Sequence, residues 1–164
     1  MEPFRSLALL VDTLALIFAL VALSTDYWFV AIGPGFLIHA GIWPEVDHEF
    51  VQGFIRVTEA FSILAALSGL VSVVLLGLSY VPSLSSRNHG PRVAAVLASI
   101  AALFMLVAMS VYNGFQWGHR HPQIQFFFSW SFYLGWVSFP LWIIAGIMGH
   151  LAYTRNPRAG YDQV

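Results

Sequence analysis

The stretch "STDYWFVAIG", from Ser24 to Gly33, decides how this chain is read. It follows a run from Leu7 to Leu23 in which Asp12 and Thr13 are the clearly polar residues. Tyrosine and tryptophan favour the boundary between water and lipid, because each joins an apolar ring to a hydrogen-bonding edge. A generic interfacial belt would explain these residues by itself. The stretch therefore marks the point at which a transmembrane helix leaves the bilayer.

The composition of the whole chain indicates a membrane protein. Hydrophobic residues make up 59% of the sequence and charged residues only 9%, and neither cysteine nor lysine occurs. A soluble domain typically carries ~25% charged residues, so a soluble fold of this chain would lack polar surface. Its 164 residues suit a single domain. We therefore expect the lipid bilayer, and not nucleic acid, to be its principal partner.

Four stretches are long and apolar enough to cross a membrane, which needs about 20 such residues. They cover approximately residues 7–27, 57–81, 93–112 and 129–153. A cleaved signal peptide is the alternative for the first stretch. Its apolar part exceeds the roughly 7–15 residues of such peptides, however, and no clear small-x-small cleavage site follows. The sequence thus predicts one tetraspan domain over residues 1–164.

The arginines predict how the four helices are oriented. Basic residues are concentrated in cytosolic loops, and their number rather than the net charge matters. One side of the predicted membrane holds five of them: Arg5, Arg87, Arg92, Arg155 and Arg158. The other side holds Arg56 and Arg120. We therefore predict that both termini, the loop 82–92 and the tail 154–164 are cytosolic, and that the loops 28–56 and 113–128 are luminal or extracellular.

Two motifs in the first half of the chain resemble a known superfamily. They are "TDYW" from Thr25 to Trp28 and "HAGIW" from His39 to Trp43. This pairing resembles the claudin and peripheral-myelin-protein superfamily, which also contains epithelial membrane proteins and the gamma subunits of calcium channels and AMPA receptors. "SFYLGWVSFPLWIIAGIM", from Ser131 to Met148, is similar to the fourth helix of its myelin-protein branch. The ordered set of motifs covers nearly the whole chain and most resembles a granule-membrane branch.

The resemblance implies a fold and a function. The fold is an all-α membrane protein: a four-helix bundle with a small luminal antiparallel sheet, whose strands span about residues 27–32 and 37–43. Asp26, Trp28, Gly41 and Trp43 are its motif residues and would pack the first loop. The implied function is that of a non-enzymatic tetraspan protein of lysosome-related, cytotoxic secretory granules, which supports granule trafficking or exocytosis. An auxiliary subunit of a channel or transporter, or a claudin-like adhesion protein, is the alternative.

The first loop departs from the superfamily pattern. The superfamily usually has two bridged cysteines just after the Gly-apolar-Trp motif, whereas this chain has no cysteine. We therefore expect Trp28, Trp43 and local strand pairing to hold the loop, with Trp43 packed on Trp28. The loop is also short for a claudin, which argues against a paracellular barrier or pore.

Asp12 and Glu59 are the residues of the predicted spans that oppose insertion into the bilayer. An acid at the centre of a span carries an insertion penalty of ~2.5–3.5 kcal/mol. Glu59 follows Arg56 at i, i+3, so the two are predicted to pair on one helix face. Asp12 lies about two turns inside the first helix. The sequence identifies no partner for it, and we expect water or lipid headgroups to reach it partly. One lone acid does not make a proton pathway.

No catalytic triad, phosphate-binding loop or zinc-type Cys/His set occurs, so we predict neither enzymatic activity nor a cofactor. His119 and His121 could meet a metal on an extended strand, but a third ligand is not identifiable and exposed loop histidines are the simpler interpretation. A separate hypothesis is pH sensing in an acidic granule, because histidine titrates near pH 6.5. It would involve His39, His48, His119 and His121.

The C-terminal "AGYDQV" resembles a sorting signal. Tyr161 and Val164 form a Tyr-x-x-apolar motif of the kind that clathrin adaptors bind as an extended strand, and Gly160 precedes it. We predict a sorting signal here, with a clathrin adaptor as partner. A PDZ ligand that presents the Val164 carboxylate and Asp162 is the alternative, and an unstructured polar tail is the third interpretation. Other membrane proteins remain candidates for lateral contact.

Overall fold

The computed structural model describes residues 3–43, 53–81, 89–118 and 122–155. Its four long helices are α1 (Pro3–Ser24), α2 (Gly53–Leu78), α3 (Gly90–Gly118) and α4 (Trp130–Thr154). All four are long and apolar enough to cross a membrane. The predicted tetraspan bundle with a small antiparallel sheet is confirmed.

The helices form a ring in which α1 and α3 each pack against both α2 and α4. Small residues line these contacts, because lipid provides no hydrophobic drive and close backbone approach must supply the attraction. Ala94, Ala98 and Ala102 on α3 recur every four residues and are all buried. Outward faces remain apolar, as the exposed Leu10 and Ile17 of α1 illustrate.

Side-chain contacts identify which helix ends lie together. Arg5 donates to the carbonyl of Ser79 at 3.2 Å, which places the start of α1 beside the end of α2. The Arg92 guanidinium lies 5.6 Å from the centre of the Tyr153 ring, which joins the start of α3 to the end of α4. We call this the terminal end of the bundle. The opposite end, where α1 and α3 finish, carries the sheet and is called the sheet end.

The sheet contains β1 (Phe29–Gly33), β2 (Phe36–Ala40) and β3 (Gln125–Phe128), in the order β2-β1-β3. Both pairings are antiparallel, and Phe29 lies opposite Ala40 on one side and Phe128 on the other. The two-residue turn between β1 and β2 ends in Gly35, whose φ of 85° favours glycine. The sequence predicted two strands and missed β3, which adds a segment of the second loop to the first.

Several boundaries differ from those predicted. α1 ends at Ser24 instead of residue 27, because Trp28 turns inward and is buried in the core. α2 begins at Gly53 instead of residue 57, and α3 begins at Gly90 and continues to Gly118 instead of ending at residue 112. With 29 residues α3 is about 43 Å long, well beyond the ~30 Å hydrocarbon core. Hydropathy marks the bilayer thickness, whereas these helices continue past it.

Gly41 supplies a first prediction, because a Cβ at this position would lie 2.8 Å from the carbonyl oxygen of Thr25 and 3.0 Å from Asp26 Cα. Both are backbone atoms that cannot rotate away. Gly41→Ala should therefore lower stability by about 1–3 kcal/mol, the usual cost of overpacking. Gly77→Ala is the matched control, since nothing lies within 4 Å of a Cβ there. Thermal unfolding of the purified protein in detergent measures both, and equal melting temperatures would contradict the assigned close approach.

Candidate functional site

The end of α1 is capped by side chains of the two sequence motifs. The last four carbonyls of any helix lack an intrahelical partner and need another donor. Trp28 Nε1 donates to the carbonyl of Ala22 at 2.7 Å, and Trp43 Nε1 donates to that of Leu23 at 2.5 Å. The two tryptophans therefore satisfy neighbouring carbonyls at a helix end that borders the bilayer.

Thr25 extends this cap to α4. Its hydroxyl donates to the carbonyl of Val21 at 2.7 Å and lies 2.5 Å from the hydroxyl of Ser131. Because Thr25 has a single hydroxyl hydrogen, Ser131 is the donor of their shared bond. The backbone N–H of Ser131 also donates to the carbonyl of Tyr27 at 3.2 Å. The exit of α1 is thereby bound to the first turn of α4.

The backbone of Trp28 continues the sheet on both sides. Its N–H donates to the carbonyl of Ala40 at 3.1 Å, and its carbonyl accepts from the N–H of Ser129 at 3.0 Å. His39 Nδ1 donates to the carbonyl of Asp26 at 3.2 Å. We call Thr25, Trp28, Gly41, Trp43 and Ser131 the exit cluster.

The indole of Trp28 is fully buried among aromatic rings. Its ring centre lies 5.0 Å from that of Tyr112 and 6.4 Å from that of Phe132, both in edge-on geometry. Trp43 is 44% exposed and attaches to the end of α1 by its hydrogen bond. The expectation that Trp43 packs on Trp28 stays a prediction. Each tryptophan anchors a different part of the loop to the same helix end.

A second polar centre lies inside the bundle around Asp12, whose side chain is fully buried. Oδ1 accepts from Trp142 Nε1 at 3.1 Å, and Oδ2 lies 2.5 Å from the hydroxyl of Ser72. The Ser72 hydroxyl also donates to the carbonyl of Ala94 at 2.8 Å. These four residues belong to α1, α4, α2 and α3 respectively, so one carboxyl joins all four helices. The expected access of water or headgroups to Asp12 is wrong.

The Ser72 hydroxyl has one hydrogen and two acceptors within reach. They are Asp12 Oδ2 at 2.5 Å and the Ala94 carbonyl at 2.8 Å, which share that hydrogen. Asp12 thus accepts from Ser72 on Oδ2 and from Trp142 Nε1 on Oδ1. These bonds satisfy a buried polar side chain that would be costly to bury without partners.

Close packing places the Trp142 indole beside this carboxyl. A Cβ on Gly69 would lie 2.6 Å from Cζ2 of Trp142, so the glycine leaves the space that the ring occupies against α2. Nearer the sheet end, Arg56 Nη1 lies 3.6 Å from Glu59 Oε2, in the i, i+3 ion pair expected from the sequence. The Arg56 side chain is 46% exposed while Glu59 is buried, as suits a pair at the bilayer boundary.

The remaining candidate residues are placed as follows. His39 is exposed and stacks on Tyr27, with ring centres 4.3 Å apart. Six candidates lie outside the described residues: His48, His119, His121, Gly160, Tyr161 and Val164. Within the described ranges, no three His, Asp or Glu side chains are grouped to hold a metal ion. The four-histidine hypothesis therefore stays a prediction.

Comparison of the chain with known proteins identifies its family. The PMP-22/EMP/MP20/Claudin family model matches residues 5–149. The chain belongs to this family. Protein NKG7 of Mus musculus is 52% identical over 163 residues, and Protein NKG7 of Homo sapiens is 51% identical over 163 residues; each alignment covers 99% of both chains. The lens fiber membrane intrinsic protein of Rattus norvegicus is 30% identical over 150 residues, which cover 85% of this chain and 86% of that protein.

In this member of the PMP-22/EMP/MP20/Claudin family, sequence reasoning missed the partners of Asp12. Ser72 is recognisable only as one of many small residues, and Trp142 lies in an apolar run with other aromatic residues. Depth along the helices is the signal that could have identified them. Asp12 comes nine residues after the start of α1, Ser72 six before the end of α2 and Trp142 twelve before the end of α4. Because these ends lie together, polar groups at similar depths can meet.

Removal of the Trp28 indole donor tests the helix cap. Trp28→Phe keeps most of the buried ring but leaves the Ala22 carbonyl unpaired, so we expect a loss of about 1–3 kcal/mol. Trp43→Phe should have a smaller effect, because water can replace an indole that is partly exposed. Trp130→Phe, at an exposed position, is the control. Melting temperatures in detergent provide the measurement, and a Trp28→Phe protein as stable as the Trp130→Phe control would refute the capping role.

Substitution of Asp12 tests its two hydrogen bonds. In Asp12→Asn the amide oxygen can still accept from Trp142 Nε1, while the N–H₂ can donate to Ser72 Oγ as the Ser72 hydrogen turns to Ala94, so the loss of stability should be small. Asp12→Ala leaves the Trp142 N–H unpaired and should lose about 1–3 kcal/mol. Thermal unfolding in detergent distinguishes the two variants. An Asp12→Ala protein as stable as Asp12→Asn would show that the bonds to Asp12 do not stabilise the bundle.

Proposed function

We propose that this chain is a non-enzymatic tetraspan protein of lysosome-related secretory granules, with both termini in the cytosol, and that it supports granule trafficking or exocytosis. The observation that carries the proposal is the tail motif "GYDQV", which begins six residues after the end of α4 at Thr154. The resemblance of its ordered motifs to a granule-membrane branch of the family adds support.

The charges of the described residues support the proposed orientation. Arg5, Arg92 and Arg155 lie at the terminal end of the bundle. Asp26 and the Arg56–Glu59 pair lie at the sheet end. Because arginine is favoured in cytosolic segments, the terminal end is proposed to face the cytosol and the sheet the lumen.

A non-enzymatic role is supported by how the buried polar groups of the two described centres are used. Asp12 makes hydrogen bonds to two other helices, and the exit cluster donates to main-chain carbonyls. These bonds hold the bundle together. We propose accordingly that the protein acts through its location and its contacts.

The tail has enough reach to meet an adaptor at the membrane surface. Tyr161 follows Thr154 by seven residues, which span at most about 25 Å when extended. Adaptor recognition adds the peptide as a strand, with separate pockets for the aromatic and the apolar side chain. Both Tyr161 and Val164 would then be required.

A second candidate function is that of an auxiliary subunit for a channel or transporter, or of a claudin-like adhesion protein. Large exposed aromatic side chains on β3 and the first turn of α4 favour it: Phe127, Trp130 and Tyr133. Such rings suit either the lipid boundary or a flat surface on a neighbouring membrane protein. Location separates the candidates, because a granule protein is retained inside the cell and a surface subunit resides at the plasma membrane.

Substitution of Tyr161 tests the granule proposal. Tyr161→Ala should move the protein from granules to the cell surface, because the aromatic pocket of the adaptor is left empty. Val164→Ala should do so more mildly, and Asp162→Ala, between the two anchors, is the matched control. Quantitative imaging with an N-terminal tag, before and after permeabilisation, measures both the location and the side on which the terminus lies.

The PDZ interpretation gives the opposite pattern. One residue added after Val164, or Asp162→Ala, would then relocate the protein, while Tyr161→Ala would matter little. Granule location that survives Tyr161→Ala would defeat the sorting proposal. Stable residence of the unmodified protein at the plasma membrane would favour the second candidate function.

A further inference from the structure

A groove with a volume of about 660 Å³ runs between α3 and α4. Its wall includes long apolar side chains that are exposed on the bundle surface, namely Val96, Leu103 and Ile147. Its floor is formed by small residues, because a Cβ on Gly146 would lie 2.7 Å from Ser99 Oγ and 3.3 Å from the carbonyl of Ala95. The glycine keeps the helices close and the groove open.

Two basic side chains lie at one end of this groove. Arg92 is in the first turn of α3 and His150 is one turn before the end of α4, and both are exposed. The Arg92 guanidinium lies over the Tyr153 ring at 5.6 Å. A planar guanidinium is well suited to phosphate, which it can bind through two parallel N–H bonds.

The length of the groove corresponds to one leaflet. Leu103 follows Arg92 by eleven residues, so the groove descends about 16 Å along α3. That is roughly half of a ~30 Å hydrocarbon core. A ligand that fills it would have a polar part at the membrane surface and an apolar part that ends near the midplane.

The charge around the groove selects an anion. In the described ranges, the acidic residues are Asp12, Asp26 and Glu59, and none of them lies at the terminal end of the bundle surface. That end instead carries further basic groups: Arg5, His89 and Arg155. Basic pockets between transmembrane helices at a cytosolic surface are suited to acidic lipid headgroups.

We propose that the groove between α3 and α4 binds an anionic phospholipid. Arg92 and His150 contact its headgroup, whose net negative charge distinguishes it from a zwitterionic headgroup, and one acyl chain lies along Val96, Leu103 and Ile147. The proposed topology bears only on which leaflet supplies the lipid, namely the cytosolic one, where acidic phospholipids are enriched.

Native mass spectrometry of the full-length protein in detergent tests the headgroup contacts. Phosphatidylserine should remain bound, and phosphatidylcholine should bind at least fivefold less. The double variant Arg92→Gln with His150→Gln should lose phosphatidylserine by at least fivefold, whereas Arg155→Gln, a basic residue at the same end but outside the groove, should retain it. Inorganic phosphate in excess should not displace the lipid, because it lacks the acyl chain.

Variants of the wall test the acyl-chain contacts. Val96→Trp places a bulky indole in the groove where valine stood. It should lower phosphatidylserine binding several-fold without lowering the melting temperature. Leu67→Trp, on the exposed face of α2, is the matched control and should leave binding unchanged.

Three results would overturn the proposal: undiminished binding in the double variant, an equal loss in Arg155→Gln, or equal binding of phosphatidylcholine. Measurements in detergent do not depend on membrane orientation or on sorting. A failed localisation experiment would therefore leave this result standing, and a failed lipid experiment would leave the granule proposal intact.

Discussion

The structure depends on how one helix ends. Where α1 leaves the bilayer, the carbonyls of Ala22 and Leu23 have no partner within the helix, and a partly dehydrated boundary makes unpaired groups costly. Trp28 and Trp43 provide the missing donors. Trp28 and Trp43 both follow α1 in the chain. The same two bonds therefore hold the start of the loop, at Trp28, and its return, at Trp43, against the end of α1. The sheet, the entry to α4 and the aromatic core are then arranged around this point.

The Asp12 centre complements the exit cluster at another depth. Helices in lipid gain little from burying apolar surface against each other, so close packing and polar contacts must hold them together. The exit cluster joins α1 to the sheet and to α4, while Asp12 contacts residues of α2 and α4 and, through Ser72, α3. The exit cluster offers a physical account of how a chain without cysteine holds its first loop to the bundle, while the Asp12 centre joins the four helices to one another.

Hydropathy was enough to predict the bundle, and the family resemblance implied two of the three strands. They could not predict β3, because "QFFF" is an apolar segment without period-two alternation. It forms a strand by pairing with β1, which is distant in the sequence. The motif tryptophans were identified, but their partners were not. Every residue has a main-chain carbonyl, so the residue type does not show which carbonyl accepts an indole N–H. The Arg56–Glu59 pair was found from local spacing, whereas the partners of Asp12 are 60 and 130 residues away.

Those separations have a consequence for how the protein is made. A ribosome adds ~5–20 residues per second, so Trp142 emerges roughly 6–26 s after Asp12. During that interval α1 holds an acid whose final partner has not yet been synthesised. Ser72 follows Asp12 by 60 residues and provides only part of the native arrangement. The hydrogen bonds around Asp12 can therefore be completed only when the fourth helix joins the other three.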